Sequence, residues 1–128
     1  RPRCGCGRLV CFETYASGTG LERLYHHFHG QRASGHQIVG RFEAHEPHAV
    51  ATVDCWLEIM AAGLATAISV VDPAVKVLGG GLSGLPALYE QLPLRLPGHL
   101  LPGVALPEIR EARFGGAGGV RGAALLNL

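Results

Sequence analysis

The chain has 128 residues, 48% of them hydrophobic and 16% charged, with a formal net charge of +1. That composition describes one folded domain with a real core and argues against intrinsic disorder. Acids and bases are interspersed, so the basic face that a nucleic-acid binder needs is missing, and no apolar run reads as a membrane span. No signal-peptide pattern opens the chain, which begins with Arg1 and not with Met, as a piece of something longer would.

In chain order, residues 1–13 form a glycine-rich knuckle, "RPRCGCGRLVCFE", that holds three of the four cysteines. From Phe12 the pattern turns helical. Tyr15, Leu21, Leu24, Tyr25 and Phe28 fall near one face, and Gly30 is the expected stop. "SGHQIVGRFEA" predicts a short helix capped near Ser34. Pro47 opens a long helix with Val50, Val53, Leu57, Met60, Ala61, Leu64 and Ile68 at helical spacing, and Asp72-Pro73 ends it near Val71.

Beyond it, Val75 to Leu78 reads as a strand, "LGGGLS" as a glycine loop and "LPALYEQLPLRL" as a helix. "EIREARFG" predicts a further strand, and "GGAGGVRGAALLNL" a glycine turn feeding a C-terminal helix. Strand-loop-helix units among many helices predict an α/β layer arrangement with a small sheet.

Cys4, Cys6 and Cys11 raise three possibilities: a disulfide, a metal site or reactive thiols. Cys4 and Cys6 stand too close in sequence for an easy mutual bridge, and nothing marks the chain as secreted. Thiolates suit structural zinc, which takes four ligands, so a fourth is needed; His26, His27 and His29 are the local candidates. Solvated histidines on an amphipathic helix would look the same. Cys55, alone in the long helix, reads as a small buried hydrophobe.

"CGCGRLVCFETYASGTGL", "VLGGGLS" and the closing "AGGVRGAAL", in that order, resemble the ROK family of bacterial sugar kinases, nearest its N-acetylglucosamine kinase branch. The resemblance covers residues 1–128 but only the C-terminal part of such a kinase, without the N-terminal lobe. It implies an actin-like (ribonuclease H-like) α/β fold. It further implies a zinc knuckle over 1–13 and nucleotide-side strand-loop-helix units over 75–128.

On the same ground Cys4, Cys6 and Cys11 are three ligands of a structural zinc, with the family's fourth ligand, a histidine, upstream of Arg1. Glu13 is the sugar-hydroxyl acceptor, and Gly79, Gly80, Gly81 and Leu82 flank the adenosine and phosphates of ATP. The implied function is ATP-dependent phosphorylation of the 6-hydroxyl of an amino sugar or hexose, with Mg²⁺. The implied setting is a cytoplasmic homodimer free of nucleic acid and membrane.

No catalytic residue is expected within the chain: its two aspartates, Asp54 and Asp72, lie in no base motif, so the chain alone is expected to be inactive. A ROK-type sugar-responsive repressor fragment, or a structural zinc module without a ligand, are the alternatives. Two positions depart from the family pattern. Val10 stands where the family has glycine, a strained choice if the backbone there has positive φ, and Gly116 stands where relatives usually carry aspartate.

Overall fold

The computed structural model describes residues 1–126; Asn127 and Leu128 of the expected C-terminal helix lie outside the described residues. The chain forms two compact units, residues 1–63 and residues 64–128. The division falls inside the long helix.

In the first unit an antiparallel bridge, Arg3 with Leu9, closes the knuckle. A short 3₁₀ turn, Phe12–Thr14, follows. Helix α1 spans Gly18–His29, α2 spans Gly35–Glu43, and α3, Pro47–Val71, begins in this unit. The helical pattern therefore starts six residues later than its apolar spacing predicts. The reason is local: Ser17 is extended, and its side chain accepts from the Gly20 amide at 3.1 Å, which caps α1 there.

Gly20 is also the residue on which the Tyr15 carbonyl rests, since a Cβ at Gly20 would overlap that carbonyl. Gly30 ends α1 in the left-handed region, as expected. α2 carries a full capping box between Ser34 and Gln37.

Leu21, Leu24 and Tyr25 of α1, Ile38 of α2, and Val53, Trp56, Leu57 and Ala61 of α3 are buried. Phe28 and Val50, expected on apolar faces, are 47% and 37% exposed. Tyr25 accepts a hydrogen bond from Arg41 Nη1 at 2.7 Å, which ties α1 to α2. Cys55 is only partly buried, since Val53, Trp56 and Leu57 take the inward positions around it.

In the second unit, the end of α3 is set by Asp72, whose amide donates to the Ile68 carbonyl and whose φ is 47°, just before Pro73. β1, Val75–Leu78, pairs in parallel with β2, Glu108–Glu111, with Val75 opposite Glu108 and Leu78 opposite Glu111. Between them run α4, Pro86–Arg95, and a 3₁₀ turn, Leu96–His99. Ala65, Ile68 and Leu96 form a small core, with Leu64, Leu100, Val104 and Ile109 packed against it. α5, Gly118–Leu125, follows the glycine turn. The sheet has two strands among the described residues, and Val75 and Val77 on β1 remain 41% and 60% exposed.

The expectation that no apolar run has the length of a membrane span is also corrected. α3 is long and apolar enough to cross a membrane by length and composition, with a mean hydropathy of 1.5 over its best 18 residues. The core helix of a globular protein passes the same test, and Asp54 and Glu58 sit on this one.

Candidate functional site

The knuckle is built by the backbone. The Cys4 amide donates to the Arg8 carbonyl at 2.8 Å, and the Gly7 amide donates to the Cys4 carbonyl at 3.0 Å, a tight turn over four residues. Gly7 has a φ of 85°, so this turn needs glycine there. The Val10 amide reaches the Pro2 carbonyl at 3.0 Å. Val10 itself has a φ of 62°, the left-handed region that a β-branched residue enters at a cost.

This folding brings Cys4, Cys6 and Cys11 together: their three sulfurs lie within 4.8 Å of one another. Cys6 and Cys11 sulfurs are 3.5 Å apart. The pair divides its protons unevenly. The Arg8 backbone amide, then the Cys11 and Cys4 thiols, hold Cys6 below the usual thiol value, while the bond to Cys6 and desolvation push Cys11 up to about 11. All three cysteines are free thiols. Two ligands at about 2.3 Å from a tetrahedral zinc stand about 3.8 Å apart, so three sulfurs this close suit three corners of such a site.

The local histidines do not complete it. The metal-competent group contains the three cysteines and no imidazole among the described residues. His29 is drawn away, with Nε2 3.0 Å from Thr52 Oγ1 and its ring stacked 4.2 Å from that of His48. His26 lines a cavity of about 370 Å³ with Glu22, Arg23 and Arg32. His27 lines another of about 360 Å³ with Arg1, Tyr15 and Arg23. Helical geometry sends these three side chains to different surroundings.

Glu13 stands beside the thiols, where the Cys4 thiol donates to its Oε2 at 3.5 Å. Its neighbour Thr14 ties down one end of the turn that carries it. Thr14, 1% exposed, donates through Oγ1 to the Cys11 carbonyl at 2.6 Å, and its own carbonyl accepts from Arg23 Nη1 at 3.0 Å. Thr14 and Arg23 hold the turn that carries Glu13, and spacing alone did not single them out. The signal was available only as a threonine one residue after Glu13 and an arginine nine residues after that threonine.

In the second unit the glycine loop follows β1 directly. Gly80 has a φ of 106°, and its carbonyl accepts from both the Ser83 amide at 3.1 Å and the Ser83 hydroxyl at 2.8 Å. Tyr89 donates to the Ser83 carbonyl in turn. This closed turn separates Gly79–Leu82 from α4, which starts only at Pro86. The loop amides therefore lie before the helix N-terminus and not in its first turn. Gly116 lies against the Gly80 backbone, 3.9 Å from its carbonyl when given a Cβ, so the two glycine segments meet. Asp54, on α3, is not part of the metal-competent cysteine group among the described residues.

The ROK family model matches residues 1–128, the whole chain. The chain belongs to the ROK family. It is 44% identical over its full length to an N-acetyl-D-glucosamine kinase of Yersinia pseudotuberculosis serotype O:3, and 46% identical to one of Pectobacterium atrosepticum. The chain spans about 42% of the length of these curated relatives.

Among solved structures, a ROK hexokinase from Thermus thermophilus matches with a TM-score of 0.79 at 34% identity, over 97% of this chain and 42% of the other. A ROK glucokinase from Streptomyces griseus, solved with glucose and AMPPNP, matches with a TM-score of 0.84 at 26% identity, over 96% and 46%. The family resemblance read from the cysteine and glycine motifs is borne out, and the fold is that of ROK sugar kinases.

Proposed function

We propose that this ROK chain carries the sugar-facing and nucleotide-facing elements of a cytoplasmic, ATP- and Mg²⁺-dependent N-acetylglucosamine kinase that phosphorylates the 6-hydroxyl. The observation that carries the reading is Glu13 held beside three converged thiols. A carboxylate with two acceptor oxygens suits neighbouring hydroxyls of a sugar ring. Cys4, Cys6 and Cys11 supply three ligands of a structural zinc, the fourth coming from outside this chain. Bound zinc supplies rigidity here, fixing the turn that ends at Glu13.

Gly79, Gly80 and Gly81, with Gly116 against Gly80, offer backbone without side chains of its own, which suits close approach of adenosine and phosphates beside Leu82. The base and the terminal-phosphate cradle come from residues outside this chain. Chemistry needs them held in one near-attack geometry, so residues 1–128 alone give no turnover. The kinase reading is favoured over a sugar-responsive repressor by the curated relatives, which are named as kinases.

The test is a chimera in which residues 1–128 replace the matching segment of the Yersinia kinase. It is assayed by ADP release with N-acetylglucosamine, glucose and N-acetylmannosamine. Turnover is expected with N-acetylglucosamine first, and Glu13→Gln raises the sugar KM while leaving that for ATP in place. An effect confined to ATP, or a chimera without turnover whose zinc content and folding are normal, removes the assignment.

A further inference from the structure

α3 carries a glycine at its middle, Gly63, between Ala62 and Leu64, in the run "MAAGLATA". Intrinsic propensity favours alanine at such a position, and Ala61, Ala62, Ala65 and Ala67 of the same run follow that preference. The reason for glycine lies across the unit. A Cβ at Gly63 would overlap Cε2 and Cζ of the Phe12 ring and lie 2.8 Å from its Cδ2. The ring edge rests on bare helix backbone, while the rest of Phe12 leaves the residue 49% exposed.

Phe12 sits between Cys11 and Glu13 in the 3₁₀ turn Phe12–Thr14. Thr14 pins one end of that turn through its bonds to the Cys11 carbonyl and from Arg23. The Phe12 ring is the other anchor, because it joins the turn to a rigid helix.

We propose that Gly63 is a positioning residue: the gap it leaves on α3 seats the Phe12 ring, and that seat holds Cys11 and Glu13 in register for zinc and sugar. The inference rests on the roles proposed above for Cys11 and Glu13. An added methyl at residue 63 displaces the ring, and the ring carries both neighbours with it.

The test is a double-mutant cycle in the 128-residue chain: wild type, Gly63→Ala, Phe12→Ala and both together, each loaded with zinc. Zinc release to a chromogenic chelator is timed, and the thermal midpoint is measured alongside. Gly63→Ala is expected to speed release about tenfold when Phe12 is present, as outer-shell changes do. In the Phe12→Ala background it changes release little and raises the midpoint, because only helix propensity remains.

Equal acceleration in both backgrounds, or none with Phe12 present, overturns the seat. If wild-type chain takes up no zinc, the zinc reading fails on its own. The seat is then judged by amide exchange at Thr14 and Tyr15, whose amides donate to the Cys11 and Phe12 carbonyls. Exchange there accelerates in Gly63→Ala only when Phe12 is present, and unchanged exchange sinks the proposal.

Discussion

Replacing Val10 by glycine should stabilise the chain although it removes apolar surface. Val10 holds a φ of 62°, where its branched Cβ crowds the following carbonyl. That strain costs about 2 kcal/mol, at the upper end for a β-branched residue. Glycine relieves it and keeps the backbone bond from residue 10 to the Pro2 carbonyl at 3.0 Å. Two effects oppose the gain. The freer unfolded chain costs about 0.4–1 kcal/mol. The side chain is 46% exposed, so the lost burial is about half of the roughly 1.5 kcal/mol of a buried valine.

About 0.5 kcal/mol remains in favour of glycine, a rise of about 2 °C in the unfolding midpoint for a domain of this size. Thermal unfolding followed by circular dichroism measures it, with Val10→Ala as the control that keeps a Cβ and so keeps most of the strain. A Val10→Gly chain that is less stable than wild type, or no more stable than Val10→Ala, shows that the left-handed backbone is not where the cost lies.

In zinc-free chain, the lowered pKa of Cys6 places its thiolate below the ordinary value of 9.0, while Cys11 stays protonated until the pH approaches about 11. Iodoacetamide at about pH 8 should therefore label Cys6 before Cys11, and peptide mass spectrometry that finds the two labelled together refutes the division. Cys55, raised by desolvation and by Asp54 and Glu58, should also label after Cys6. Tyr25→Phe removes the buried acceptor of the 2.7 Å bond from Arg41 and should cost about 1 kcal/mol, read as a shift in urea midpoint at unchanged slope. Gly20→Ala drives a methyl into the Tyr15 carbonyl, which is backbone and cannot swing aside. A loss of about 3 kcal/mol is expected from denaturant titration, and a neutral result would mean that the start of α1 is adjustable.

What the sequence determined by itself is local. Ser34, Pro47, and Asp72 before Pro73 mark helix ends because caps and proline act over one turn, and all three stand where they were read. The short run Val75–Leu78 was legible as a strand, and Cys4, Cys6, Cys11 and Glu13 as one motif. The chain neighbours of a residue set these preferences, so a linear reading reaches them.

Only the tertiary structure decided the rest. It paired β1 with β2 in parallel across 29 intervening residues, which no propensity specifies. It took His29 to Thr52 and His48 on α3 and so away from the cysteines, since helix packing and not spacing chose its partner. It laid Phe12 on Gly63 and Gly116 beside Gly80. A glycine in the sequence shows only that a side chain is missing; what fills or uses the space is settled when distant segments pack against it.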